Sequence, residues 1–388
     1  MGCPTKTNYL TEAEYARAIA YNDENTNLTL LQRVMKRAEA GEPITVATIG
    51  GSITYGSLAT DRATESYSAH FRDWWISAFP NSTVTHVNAG IGATTSHLGV
   101  HRVNGHVLSK NADVCIVEFT VNDSKDALYS ATYESLVAKL LDRGVAVLLL
   151  FMTRSNGYSV QHIHAAIGAK YHLPMISYGD AVLPTIEAGE RTWTDIAADS
   201  VHPNNYGHAY TGEILWRYLN EVYDAMPCEI ALHPYDSAAL RATPYYGALA
   251  IGPVETCDTV QAKPLTTGAF VLDKGDRCAY SGAWLAKPSS DATDNGEMTL
   301  RLTFSRLGIL YTRTTDGESG TCDVYVDGEK IASVDGDFPG GWGNYHATAE
   351  LYAADTEATH TVTLKMADPT KKFILIRLLM VGSTDGAQ

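Results

Sequence analysis

The sequence predicts two folds in tandem: a doubly wound, three-layer α/β/α domain around a parallel sheet, then a β-sandwich domain. Three observations predict it. Up to about residue 225, strand-like apolar runs alternate with helix-like stretches. Several of those runs are apolar on consecutive residues. Beyond residue 266 only short strand patterns remain.

The first part reads as strands at about 44–49, 83–88, 113–119, 145–152 and 174–178. Val145-Ala146-Val147-Leu148-Leu149-Leu150-Phe151 has no polar face, so both faces need cover, as in a parallel sheet. Helical stretches lie between, at about 28–40, 64–78, 97–109, 131–142 and 159–171. A last one near 206–223 sets Tyr210, Ile214, Tyr218 and Val222 on one face. The pattern changes after residue 228. Residues 229–265, with Pro234, Pro244, Pro253 and Pro264, read as a connecting segment between a 1–228 domain and a 266–388 β-domain. In the latter, strand signals fall at Met298–Leu310, Asp323–Val326, Lys330–Val334, Tyr345–Leu351, Thr361–Lys365 and Phe373–Val381. Asp327-Gly328 between two of them suits a type I′ hairpin turn.

Composition narrows the function. The chain has 388 residues, 45% of them apolar and 19% charged, a globular balance. No stretch approaches the roughly 20 apolar residues of a membrane span. The net charge of −15 argues against nucleic acid and disfavours an anionic polymer as substrate. Six cysteines, at 3, 115, 228, 257, 278 and 322, show no C-x-x-C spacing and fit a reducing compartment better than a disulfide framework. MGCPTKTNYL lacks the pattern of a signal peptide, so a cytoplasmic location is expected, although a trimmed leader would make the protein secreted.

Four segments could carry chemistry. Ile44–Ile49 runs into Gly50-Gly51-Ser52, which puts a serine at the carboxyl end of a strand, where open α/β sheets gather their functional groups. A Gly-Gly-Ser turn also occurs for purely structural reasons. Asn88-Ala89-Gly90-Ile91-Gly92-Ala93-Thr94-Thr95 follows a second strand and could aim N–H groups at an anion, or could be a plain turn. Thr95 replaces the third glycine of a dinucleotide loop. A third strand ends in Val121-Asn122-Asp123. The Asn122 amide could donate to an oxyanion, or Asn122 and Asp123 could cap the next helix. Finally, in Asp199-Ser200-Val201-His202-Pro203, the proline disfavours helix at His202. The spacing lets Asp199 hold one ring nitrogen and leave the other as a base, although D-x-x-H is also an ordinary capping turn. Together the four supply nucleophile, oxyanion donors, base and orienter. No G-x-S-x-G elbow is present.

Gly50-Gly51-Ser52-Ile53-Thr54, Asn88-Ala89-Gly90-Ile91-Gly92, Val121-Asn122-Asp123 and Asp199-Ser200-Val201-His202-Pro203 resemble, in order, blocks I, II, III and V of the SGNH (GDSL-like) hydrolases. The resemblance covers about residues 28–225. It implies a flavodoxin-like α/β/α fold and a carboxylic ester hydrolase. Ser52 would be the nucleophile, His202 the base and Asp199 its partner. Asn122 and a backbone N–H of block II, from Gly92 or by ungapped counting Ala93, would join the Ser52 N–H in an oxyanion hole. Gly51 stands where many members have Asp, and Val121 where Gly is common.

The domain order is similar to that of two-domain mannan O-acetyl esterases, whose accessory module is similar to a carbohydrate-binding module and leans over the cleft. That likeness implies removal of O-acetyl groups from mannan-type polysaccharide or oligosaccharide. Trp284, Trp342 and Tyr345 of the β-domain, with Trp193 six residues before Asp199, are the candidate sugar contacts. Two other functions compete: a general short-chain acyl esterase or lipase of the same fold, and a non-catalytic carbohydrate-binding protein. No cofactor, metal, nucleic-acid partner or membrane partner is expected. His97, His101 and His106 offer a helical metal face but no supporting carboxylates. His162 and His164 read as a solvated helix face.

Overall fold

The structure is a computed structural model that describes residues 10–257, 259–289 and 296–383. The readings of the first nine residues, Cys3 included, lie outside the described residues. The chain divides into two compact units. The second holds Val100–Gly105 and the described residues from Tyr245 onward; the first holds the rest.

The first unit opens with α1 (Glu12–Ala18) and α2 (Thr29–Glu39), then alternates as the sequence predicts. Next come β1 (Ile44–Gly50), α3 (Ser52–Tyr55), α4 (Arg62–Glu65), α5 (Tyr67–Ala78), β2 (Val84–Gly90), α6 (Ser96–His106, of which Val100–Gly105 belongs to the second unit) and β3 (Val114–Glu118). They are followed by α7 (Ala127–Asp142), β4 (Ala146–Phe151), α8 (Gln161–Lys170), β5 (Met175–Ser177), α9 (Tyr178–Glu187), α10 (Trp193–Ile196), α11 (Asn205–Asp224) and α12 (Ser237–Arg241). Polar caps start several of the helices. Ser66, Asp126 and Asn204 each accept an N–H of the first turn of α5, α7 and α11, and Thr11 with Glu14 forms a capping box on α1.

Among the described residues, five parallel strands run in the order β2-β1-β3-β4-β5. This is the flavodoxin-like order, in which the crevice opens at the carboxyl ends of β1 and β3. Every residue of β3 and β4 is buried, which is why, Glu118 apart, their sequences are apolar on both faces. Val46, Ile116, Leu148 and Leu150 pack with Trp74, Trp75 and Trp216 in one core. Each fully buried large apolar side chain contributes about 1.5–3 kcal/mol.

α9 escaped the sequence reading because Pro184 sits inside it. A proline at that place leaves the carbonyl of Asp180 without its helical donor. The Arg17 guanidinium supplies one, Nε to Asp180 O at 3.0 Å.

The second unit contains β6 (Ala248–Gly252), β7 (Thr259–Gln261), β8 (Phe270–Arg277), β9 (Tyr280–Ala286), β10 (Met298–Arg313), β11 (Thr321–Val326), β12 (Glu329–Asp335), β13 (Tyr345–Met366) and β14 (Phe373–Val381). All nine join one mixed hydrogen-bonded network among the described residues: β12-β11-β13-β10-β14-β6-β7, with β9 on β14 and β8 on β9. The 229–265 stretch is therefore more than a connector. β6 pairs with Leu378–Val381 of β14, and β7 lies parallel to β6. Five residues of Ala-Leu-Ala-Ile-Gly among prolines carry too short a pattern to be read alone; their partner strand fixes them. The two predicted strands at 345–351 and 361–365 are one, β13, which follows β10 across two register shifts. The hairpin is as expected: Val326 pairs with Glu329, and Asp327 and Gly328 have φ of 51° and 85°, the two positive values that a type I′ turn requires.

Candidate active site

The nucleophile turn is built from close approach. Gly50 ends β1, paired with Gly90 on one side and Glu118 on the other. A Cβ on Gly50 would lie 2.1 Å from Thr54 Oγ1 and 2.4 Å from the Glu118 carbonyl. One on Gly90 would lie 2.1 Å from the Tyr55 nitrogen. Only glycine lets these strand ends sit against α3. Ser52 is the first residue of α3, with a residual exposure of 9%, and the N–H groups of a helix's first turn have no acceptor within the helix.

Asp199 and His202 share a tight turn closed by a hydrogen bond from Ala198 N to His202 O, 2.9 Å. Asp199 Oδ1 accepts the N–H of Val201 and of His202, each at 2.7 Å, and Oδ2 lies 2.8 Å from His202 Nδ1. Partial burial raises the Asp199 pKa, but these hydrogen bonds outweigh it and hold the carboxyl below its ordinary range. A carboxylate only accepts, so Nδ1 carries the proton and Nε2 is left with its lone pair. Nε2 lies 2.8 Å from Ser52 Oγ. The Trp193 indole N–H donates to the Asp199 carbonyl at 2.6 Å and steadies the turn.

Gly92 borders the same serine, and Asn122 packs against Gly51, the residue before it. Asn122 Oδ1 is buried against Gly51 and has no hydrogen-bond partner among the described residues. A Cβ on Gly92 would stand 3.9 Å from Ser52 Cβ, while Ala93 takes the left-handed region at φ 58°. Asn88 stitches the two loops together. Its Nδ2 donates to the Thr54 carbonyl, its Oδ1 accepts from Gly90 N, and Ile91 N donates to the Gly50 carbonyl. The arrangement can pass a proton from a serine hydroxyl to an imidazole beside backbone and amide donors, the chemistry of acyl transfer.

Other residues of the site carried no signal of their own. Glu118 is fully buried, within 3.3 Å of Thr54 Oγ1, which itself contacts Tyr67 Oη at 2.6 Å. Burial pushes the Glu118 carboxyl up to about 8. His208, in the first turn of α11, accepts the Tyr67 N–H at Nδ1, and burial lowers its pKa to about 4. His164 is buried rather than solvated, its ring stacked on Tyr133 with 3.5 Å between centroids. Buried groups of this kind follow from tertiary packing and have no local pattern.

Among the candidate sugar contacts, Trp284 is corrected. It is 3% exposed and its side chain belongs to the core of the β unit, on strand β9 where it pairs with Leu375 of β14. Trp342 is 71% exposed, with the Tyr345 ring 5.0 Å away and the Phe338 ring beside both. Among the described residues no three His, Cys, Asp or Glu side chains converge as metal ligands would, His97, His101 and His106 included. Nor is any helix among them long and apolar enough to cross a membrane.

Compared with known proteins, residues 48–210 match the GDSL-like Lipase/Acylhydrolase family. No curated protein matches the chain by sequence. Two solved structures of a two-domain esterase (CEX) active on acetylated mannans, one co-crystallised with mannopentaose, are similar at a TM-score of 0.82 and 27% identity. Each match covers 95% of this chain, and 98% or 99% of the other. With the serine, histidine and aspartate geometry beside these likenesses, residues 48–210 match a GDSL-like lipase/acylhydrolase domain, and the chain is a carboxylic ester hydrolase.

Proposed function

We propose that this protein is a serine carbohydrate esterase that removes O-acetyl groups from mannan-type polysaccharide or oligosaccharide through an acyl-enzyme. One observation carries the mechanism: the unbroken chain of 2.8 Å contacts from Ser52 Oγ through His202 to Asp199. His202 Nε2 takes the serine proton as Oγ bonds to the acetyl carbon. The negative charge moves to the carbonyl oxygen, where the Ser52 N–H, the Asn122 amide and a backbone N–H at Gly92 receive it. The carbon–oxygen bond to the sugar then breaks, and His202 gives its proton to the departing hydroxyl. Water repeats the cycle, releasing acetate and restoring Ser52.

The substrate class rests on likeness. The esterase active on acetylated mannans matches this chain over almost its whole length at 27% identity. The exposed Trp342 and half-buried Tyr345 of the β unit offer ring faces of the kind that stack on pyranoses. Trp193, half-buried on the Asp199 turn, is the proposed aromatic wall on the α/β unit. The test is acetate release from acetylated mannan, acetylated xylan and a long-chain ester, each with the native protein and Ser52→Ala. Preference for mannan, lost in the variant, is expected. Equal turnover of the long-chain ester would replace the substrate with a general acyl ester, and acetate release by Ser52→Ala would end the mechanism.

A further inference from the structure

The residue after Asn122 has its own place in the fold. Asp123 is fully buried, and each of its polar groups is engaged. Carboxylate Oδ1 accepts the Ser96 N–H at 2.8 Å, at the start of α6. Oδ2 lies 3.2 Å from His164 Nε2 on α8. The Asp123 N–H donates to the Phe119 carbonyl at 3.0 Å, and the Asp123 carbonyl accepts the Tyr158 hydroxyl at 2.7 Å. Burial disfavours the charged form of His164, so its neutral ring donates Nε2–H to the carboxylate. That ring is in turn fixed by its stack on Tyr133, 8° from parallel.

These contacts join two loops. Ser96 ends the 91–95 loop that carries Gly92, and Asp123 ends the 119–122 loop that carries Asn122. A single buried carboxylate spans the gap between them, with both partners sealed from water. Mobile, water-exposed ties would leave the two loops independent. A buried charge held by a helix N-terminal N–H and an imidazole does not exchange its partners readily.

We infer that Asp123 is a positioning residue: it holds the Gly92 and Asn122 loops in register, so that their donors converge on one oxyanion, and His164 holds Asp123. The inference rests on the proposed acyl-transfer reading but concerns residues that touch no substrate. Loss of the tie lets the two donors drift apart. A displacement near 1 Å at a reacting centre can cost about 10²-fold in rate. The loss falls on kcat, because an oxyanion exists only after attack, while ground-state binding is untouched.

The experiment compares Asp123→Ala, Asp123→Asn and His164→Phe with the native protein. Active sites are counted by complete labelling with a fluorophosphonate, and kcat per labelled site and KM are measured on an acetyl ester. Asp123→Ala is expected to lose about 10- to 100-fold in kcat with KM within about twofold. Asp123→Asn, which keeps an acceptor for Ser96 N–H, recovers most of that loss. His164→Phe keeps the stack on Tyr133, removes the donor and loses a smaller part of kcat; it serves, with Asp123→Asn, if the alanine variant does not fold. An unchanged kcat per site with a lowered melting temperature would make Asp123 merely structural, and a loss carried by KM would equally overturn the inference. Either result leaves the serine mechanism standing, which fails separately if Ser52→Ala retains turnover.

Discussion

Gly51 and Asn122 are packed so closely that a Cβ on the glycine would lie 2.3 Å from Asn122 Oδ1 and 3.0 Å from Cγ. The glycine's φ of −86° would suit any residue, so the constraint is space rather than backbone conformation. Gly51→Ala is expected to push the Asn122 amide from its place and lower kcat by up to about 10²-fold, with little change in KM. Steady-state kinetics on an acetyl ester checks this; a crystal structure of the variant with Asn122 unmoved and full activity would refute it.

Asn122→Ala is expected to cost about 10²–10³ in kcat, the usual loss for one oxyanion donor. Because the donor acts on charge that forms after attack, KM should stay near its native value.

Asp199→Asn keeps an oxygen for the Val201 and His202 N–H groups. It presents an NH2 to Nδ1 in place of a carboxylate, which favours the tautomer with the proton on Nε2. A ring protonated there cannot accept from Ser52, and a drop in kcat of roughly 10³–10⁴-fold is expected. Near-native turnover would show that Asp199 does not set the tautomer.

Glu118 gives a pH signature. Its folded pKa of about 8 lies above the unfolded value near 4.5, so between those limits the native state holds a proton that the unfolded chain has released. The sign follows: this contribution to stability is complete below about 4.5 and is lost as pH rises through about 8. Glu118→Gln, neutral at every pH, should flatten the fall in melting temperature between pH 5 and pH 9. It should also keep activity above pH 8, where ionisation of Glu118 would place a charge against Thr54 of the nucleophile helix. Identical pH profiles for the two proteins would count against a protonated Glu118.

Trp342→Ala should weaken binding of mannooligosaccharide by about 1 kcal/mol, roughly fivefold, if its exposed face stacks on a sugar. Calorimetry measures the affinity directly. Turnover of a small soluble acetyl ester should be unchanged, which separates a sugar contact from a folding defect.

Much of this was legible in sequence because the signals are local. The central strands β3 and β4 of the parallel sheet announce themselves by residues apolar on both faces, and Asp327-Gly328 by the two positive φ values its turn demands. Ser52, Asn122, Asp199 and His202 each follow a strand or precede a helix, the places where an open α/β sheet concentrates its chemistry. The strand at 248–252 was hidden, since its order comes from β14 more than a hundred residues later.

By itself, then, the chain determined which residue types stand at the carboxyl ends of its strands and in what order, because backbone turns and strand burial are written in neighbouring residues. Tertiary structure alone decided that Trp284 is core while Trp342 is surface. It alone decided that Glu118 keeps its proton to about pH 8 and that Asp123 meets Ser96 and His164. Those outcomes depend on desolvation and on contacts across tens of residues, which no local pattern records.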